Sequence, residues 1–348
     1  MKSRNLFKIL LISLIAVGIA TFTYAGGENP PSYTQTKYPI VLVPGVLGFD
    51  KLLGTVAYFY GIEDAIKKDS GGQEVHLISL SGWQETEARG LDLKNKIEEL
   101  CLKYGYSKVN VIAHSHGSTT SRVAMKLIPH RFASLTTIAG PHYGTPTADC
   151  GASMPSILQN AAYSAINLLM GDLVGLISGH PEYVGDQNTA AVLNDFTQGG
   201  MKLFNTVKYP CAGVPKGGSY GTKQYGADAT APGAESEVVN GNTIRYYSWT
   251  GDVSVLGVTV PTTTVGDVTD VAMTATDALN KLYGYWGPTD AFIPVSSAKF
   301  GKFLGTYWWN HADEINQTVG LWVPSSMIAQ NPKEVFRIHA NRLQQAGL

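Results

Sequence analysis

Cysteine is scarce in this chain, with Cys101, Cys150 and Cys211 the only three among 348 residues. So small and odd a number excludes a disulfide framework and leaves at least one thiol unpaired in an exported protein. Cys150 with Cys211 is the one pairing worth weighing. Cys101 falls inside a helical pattern and reads as a small buried hydrophobe. No CxxC or paired Cys/His spacing points to zinc. Charge is sparse too: charged residues make up 15% of the chain, and 26 basic against 27 acidic residues give a formal net charge of −1. Such a balance offers no global positive field to a phosphate backbone, and nucleic acid is not an expected partner. Internal repeats and an interdomain linker are also missing, so residues 26–348 are expected to form one domain with insertions.

What is present is apolar and rich in turns. Hydrophobic residues make up 44% of the chain, enough for a large core, and the 38 glycines imply many turns and close backbone approaches. Lys2, Arg4 and Lys8 precede an apolar run over 9–20, and Thr23-Tyr24-Ala25 follows at the spacing of a cleavage site. The run is shorter than the roughly 20 residues a spanning helix needs, so 1–25 reads as a secretory signal peptide and not as an anchor. Removing it takes away three basic and no acidic residues, which moves the net charge from −1 to −4. A secreted, mildly acidic protein is expected.

From Pro39 onward, short β-branched runs at 39–43, 74–80, 108–113 and 134–139 alternate with amphipathic stretches. That alternation predicts a mostly parallel sheet flanked by helices. One helix carries Ile97, Leu100, Cys101 and Tyr104 on a single face and ends at Gly105. The stretch 153–178 is helical in pattern but apolar around more than one stripe, through Ile157, Leu158, Ala161, Ile166, Leu169 and Leu173. It reads either as a buried core helix or as a lid with an apolar inner face. Asn240-Gly241 predicts a hairpin joining 235–239 to 242–249 and decorating the sheet. Residues 253–271 read as loop with some strand.

The sharpest chemical signal is Ala113-His114-Ser115-His116-Gly117, between a predicted strand and a predicted helix. A serine on so tight a turn needs small residues two positions away on either side, and Ala113 and Gly117 supply them. Ser115 is therefore the candidate nucleophile. A serine hydroxyl needs a histidine to accept its proton and a carboxylate to orient that histidine. In the order serine, acid, histidine, His311 is the candidate base, because His142 follows too closely and His339 lies on a terminal helix. Asp290 leads as the acid, with Asp252 a competitor just past a strand. The oxyanion that forms in acyl transfer needs two backbone N–H donors. His116 is one, and Val46 in the turn Pro44-Gly45-Val46-Leu47-Gly48 is chosen as the other.

Tyr38-Pro39-Ile40-Val41-Leu42, the His114-Ser115-His116-Gly117 elbow, Tyr246-Tyr247-Ser248-Trp249, Asn310-His311-Ala312-Asp313-Glu314 and His339-Ala340-Asn341-Arg342-Leu343 together resemble the bacterial family I true lipases across nearly the whole mature chain. The resemblance implies a secreted α/β-hydrolase acting on long-chain triacylglycerols, with a helical lid over 153–178 and a structural calcium ion. Some members also need a dedicated membrane-bound foldase as partner. It implies Ser115, Asp290 and His311 as triad and Val46 with His116 as oxyanion donors. It places calcium on the side chains of Asp267, Asp313 and Gln317 and on the carbonyl of Leu321, oxygen ligands that suit a hard cation. The chain departs from the family at Pro44, where histidine is usual, at Ser118, where glycine is usual, and at Ser296, near one end of the common disulfide.

The expected function is thus hydrolysis of lipid esters through an acyl-serine enzyme. A phospholipase, an acyltransferase or a short-chain esterase would share that intermediate, and a noncatalytic lipid-binding module on the same fold is the reading from another class.

Overall fold

Three strands lack a face that could meet water, and this decides the architecture. Ile40–Val43 (β1), Val109–His114 (β3) and Phe132–Ile138 (β4) are buried along their whole length. Strands buried on both faces belong in the middle of a parallel sheet covered by helices. The structure is a computed structural model and describes residues 31–255, 258–259, 268–317 and 330–348. The expected signal peptide lies outside these residues. With Val75–Leu77 as β2, Ser236–Val239 as β5, Asn242–Gly251 as β6 and Lys302–Tyr307 as β7, the sheet order is β7-β6-β4-β3-β1-β2, all neighbours parallel. β5 adds to β6 antiparallel.

Alternation along the strands divides the core into two layers. Val41 and Val43 face a cluster with Leu93, Ile97, Cys101, Ala124 and Met125, from helices Thr86–Tyr104 (α2) and His116–Leu127 (α3). Ile40 and Leu42 face the other side, with Ile62 and Ile66 of Ile62–Lys67 (α1) and Phe336 and Ala340 of Pro332–Gln345 (α6). Gly105 ends α2 at φ 73°, as expected of a left-handed cap. Tyr104, expected on the packing face of α2, is instead exposed.

The register of the central strand pair sets the level at which the loops emerge. β1 pairs with β3 so that Val43 lies opposite Ala113. The chain leaves both strands at the same level, so the 44–48 turn and Ser115 come out side by side.

Several expectations are corrected. The hairpin at Asn240-Gly241 exists, with φ 48° and 77° at its two turn residues. Its second strand does not decorate the sheet but lies inside it, between β4 and β7. Residues 153–178 are not a buried core helix: Ser156–Ile166 (α4) has no buried residue, and Ile157 is 82% and Leu168 61% exposed. The helix continues through a wide turn over Asn167–Asp172 and ends at Ile177, apolar and long enough in composition to cross a membrane. All three cysteines are free, so Cys150 and Cys211 do not pair. Part of 253–271 forms a small hairpin, Ser254–Val255 with Val258–Thr259, and Val268–Tyr283 (α5) begins before the segment ends.

Four histidines, His114, His116, His142 and His339, are fully buried, and burial pushes each well below the usual 6.5. Unfolded, they would take up protons as the pH falls through 6.5, while in the fold they stay neutral. Each contributes stability that is complete above 6.5 and is lost below it, at up to about 1.4 kcal/mol per pH unit. Glu314, raised by burial, works in the opposite direction, as do Asp92 and Asp195, while His76, also lowered by burial, adds to the histidines. The melting temperature should therefore drop by several degrees between pH 7.5 and 5.5. A calorimetric scan showing equal or higher stability at pH 5.5 would contradict this burial pattern.

Candidate active site

Ser115 sits between the end of β3 and the start of α3, at φ 54° and ψ −127°. A non-glycine residue at positive φ carries strain on the order of 1–3 kcal/mol and persists only where its surroundings enforce it. Here Ser115 N–H is held by Ile138 O at 2.8 Å. Gly117 lies so near β1 that a Cβ on it would stand 2.7 Å from the carbonyls of Val43 and Pro44. The small residue two places after the serine is thus required by contact with the neighbouring strand.

His311 follows β7 and reaches Ser115: its Nε2 lies 2.9 Å from Ser115 Oγ and its Nδ1 2.7 Å from Asp290 Oδ2. The two loops are also joined through the backbone, His311 N–H donating to Asp290 O at 2.9 Å. Asp290 is wholly buried, and its second oxygen accepts from the N–H groups of Phe292 at 2.8 Å and Ile293 at 2.6 Å. Ala291 makes this turn at φ 80°. Asp252 is turned away, its Oδ1 accepting from the N–H and hydroxyl of Ser254 at 3.0 and 2.6 Å. Of the two candidate acids, the structure brings Asp290 to the histidine.

The turn after β1 meets the elbow at Gly45. A Cβ there would fall 2.8 Å from Ser115 Cβ and 2.7 Å from Tyr58 Oη. Its carbonyls are held from behind by Arg89, whose buried Nη2 donates to Pro44 O and Gly45 O at 2.9 Å each. Because the Gly45 carbonyl points to Arg89, the Val46 N–H on the same peptide points the other way, and among the described residues it has no acceptor. His116 opens α3, where N–H groups lack helical partners. Its side chain is occupied elsewhere, with Nε2 3.1 Å from Thr86 Oγ1 and the ring edge-on to Phe196. Val46, next to Gly45, and His116, next to Ser115, thus remain the candidate oxyanion donors. Ser118, a departure from the family, donates to Ala113 O at 3.2 Å inside the fold.

Three polar residues of the site had no assigned role in the sequence. Glu314 is fully buried 3.8 Å from His311 Nδ1, and burial with Asp290 nearby raises its carboxyl well above the usual range. His114 lies between Glu314 and Tyr58, at 3.2 and 2.7 Å. His114 adjoins the nucleophile and Glu314 stands one helical turn beyond His311, signals that could have marked them; Tyr58 has none.

Of the expected calcium ligands, Asp267 and Leu321 lie outside the described residues. Asp313 is buried, with Oδ2 accepting from Asn310 N–H at 2.9 Å. Gln317 donates through Nε2 to the carbonyls of Ala57 and Tyr58, at 2.5 and 3.0 Å, so its amide oxygen is the end left for a cation. Both offer hard oxygen donors and fit calcium. Among the described residues, His114, His311 and Glu314 also converge closely enough to suggest a metal, but both His311 nitrogens are engaged by Ser115 and Asp290.

Residues 38–212 match the alpha/beta hydrolase fold family. The chain is 34% identical to a triacylglycerol lipase of Vibrio cholerae, over 98% of both chains, and 34% identical to one of Burkholderia plantarii, over 96% of this chain and 93% of that one. It belongs to the triacylglycerol lipase family. The mature form of a Bacillus licheniformis lipase shares the fold, at a TM-score of 0.51 and 16% identity, with 92% of this chain and 96% of that one covered. For a lipase of this family, the Gly45 contacts make a sharp prediction. Gly45→Ala should cut kcat on ester substrates by more than about tenfold, because its methyl must push Ser115 or the oxyanion turn from position. A steady-state assay on the folded variant with kcat intact would show that the turn has slack.

Proposed function

We propose that this lipase hydrolyses triacylglycerols through an acyl-enzyme on Ser115. The observation that carries the reading is the unbroken line Ser115 Oγ, His311 Nε2, His311 Nδ1, Asp290 Oδ2, at 2.9 and 2.7 Å across its two gaps. Ser115 attacks the ester carbonyl as His311 takes its proton. Asp290 holds the ring with Nδ1–H toward itself and stabilises the imidazolium that forms. The N–H groups of Val46 and His116 receive the oxyanion. His311 then gives its proton to the departing alcohol, and water, activated by the same histidine, releases the fatty acid.

Burial supports a lid. Ser115 is only 2% and His311 8% exposed, too closed for a bulky ester. The helix over 156–177 packs Tyr163 and Ile166 against the cluster that Val46 also joins, and Val174 against the one holding Leu47, while its other apolar side chains face outward. A lipid surface would receive those side chains when the segment swings away. Calcium on Asp313 and Gln317, with Asp267 and Leu321, would brace the loop that carries His311. Secretion through residues 1–25, read from their basic start, apolar run and cleavage spacing, and a foldase partner, which rests on the resemblance, complete the reading.

Ser115→Ala should lower kcat on emulsified triacylglycerols by at least about 10³-fold, and Asp290→Asn by a similar order, with melting temperatures preserved. Full turnover by Ser115→Ala would end the triad assignment. On triacylglycerols of graded chain length, the rate should rise sharply above the solubility limit; preference for short soluble esters would make the protein an esterase, and preference for phospholipid a phospholipase. Chelation should lower the melting temperature, calcium but not magnesium should restore it, and Asp313→Asn should abolish the response. A melting temperature indifferent to chelator would remove the ion from this account.

A further inference from the structure

Beneath the triad runs a second hydrogen-bonded line that the reaction itself does not use. Gly45 N–H meets Tyr58 Oη at 2.9 Å, Tyr58 Oη meets His114 Nδ1 at 2.7 Å, and His114 Nε2 meets Glu314 Oε2 at 3.2 Å. All of these side chains are buried. The hydrogens of Gly45, Tyr58 and His114 can be assigned in one way that leaves none of theirs stranded. The amide can only donate, so Tyr58 accepts from Gly45 and directs its own hydrogen to His114 Nδ1. That nitrogen must be bare, which puts the ring hydrogen on Nε2, toward Glu314. The other tautomer would leave the Tyr58 hydrogen buried without an acceptor, which a buried hydroxyl rarely tolerates. The far oxygen of Glu314 accepts from Thr250 Oγ1 at 3.1 Å and from Gly251 N–H.

The ends of this line give it meaning. One is Gly45, next to the Val46 donor; the middle is His114, next to Ser115; the other end is Glu314, three residues past His311. The geometry points to Tyr58 and His114 as positioning residues that hold the oxyanion turn in register with Ser115 and the His311 loop. Arg89 grips the turn by its carbonyls, and Tyr58 grips the N–H edge of the Pro44–Gly45 peptide. With both edges held, that peptide cannot rotate; with one released, the glycine lets it turn and carry the Val46 N–H off its line. The N–H groups matter most when charge has developed on the substrate oxygen, so a loosened turn lowers kcat more than it changes KM. This inference rests on the triad and oxyanion assignments above.

The test uses the full mature protein on a soluble and an emulsified ester, with active sites counted by a phosphonate inhibitor taken to completion. Tyr58→Phe removes one oxygen. It should lower kcat per active site by about tenfold, less than the 10²–10³ lost with a whole oxyanion donor, and leave KM within about twofold. His114→Asn can present an oxygen near the place of Nδ1 and should keep much of the activity. His114→Gln can present its amide nitrogen to Glu314 but leaves Tyr58 without its acceptor, and should behave like Tyr58→Phe. A purely structural role would lower the melting temperature and the count of active sites while sparing kcat per site. Unchanged kcat in Tyr58→Phe, or equal kcat in the two His114 variants, overturns the proposal; where Tyr58→Phe does not accumulate, the His114 pair decides. Ser115→Ala run alongside separates the failures, since turnover there would sink the triad and this inference together, whereas a dead Ser115→Ala beside an unimpaired Tyr58→Phe sinks the inference alone.

Discussion

The parallel pairing that sets Val43 level with Ala113 is the constraint on which the site depends. It lets two turns leave the sheet together, one offering a hydroxyl and the other an N–H. Everything else in the site is attached to one of these turns. Ser115 is tied to β4 through Ile138, Gly117 is pressed against the carbonyls of β1, and Arg89 and Tyr58 clasp the 44–48 turn from outside. A slip of one residue in that pairing would turn the side chains of β1 to the opposite layers and move the two turns apart. Core and chemistry thus depend on the same register.

The range of each interaction decides how legible it is in the sequence. The buried strands were legible because burial on both faces demands continuous apolar runs, and Ser115 because its turn tolerates only small residues two places away. His311 followed from chain order. The choice between Asp290 and Asp252 was only partly legible: the turn around Asp290 put it first, but Asp252 stands just past a strand, and only the folded chain shows that Asp252 bonds its neighbour Ser254 while Asp290 meets His311. The strand at 242–251 looked like half of a local hairpin because Asn240-Gly241 is a local signal; its parallel neighbours lie more than fifty residues away in each direction and leave no such mark. Tyr58, His114 and Glu314 were missed for the same reason, their contacts joining residues 56 and 200 apart.

The site also shows how a buried polar cluster is made tolerable. Burying a carboxylate or an imidazole costs several kcal/mol unless its hydrogens and lone pairs are met. Asp290 meets two N–H groups and a histidine, Glu314 meets a hydroxyl, an N–H and a histidine, and His114 is bonded at both nitrogens. Such completeness also limits movement, which suits groups that must meet a substrate at fixed distances. The helix over 156–177 is the reverse: it bares much apolar surface and is tied to its surroundings by bonds at Gln159, Asn167, Asp172 and Ile177.

The free state of Cys101, Cys150 and Cys211 reaches beyond the site. No covalent tie joins distant parts of this chain, so its maturation does not wait on an oxidase or an isomerase. Thiol reductants that dismantle many exported hydrolases have no bridge here to break, so a reducing medium by itself leaves the ties of this fold untouched.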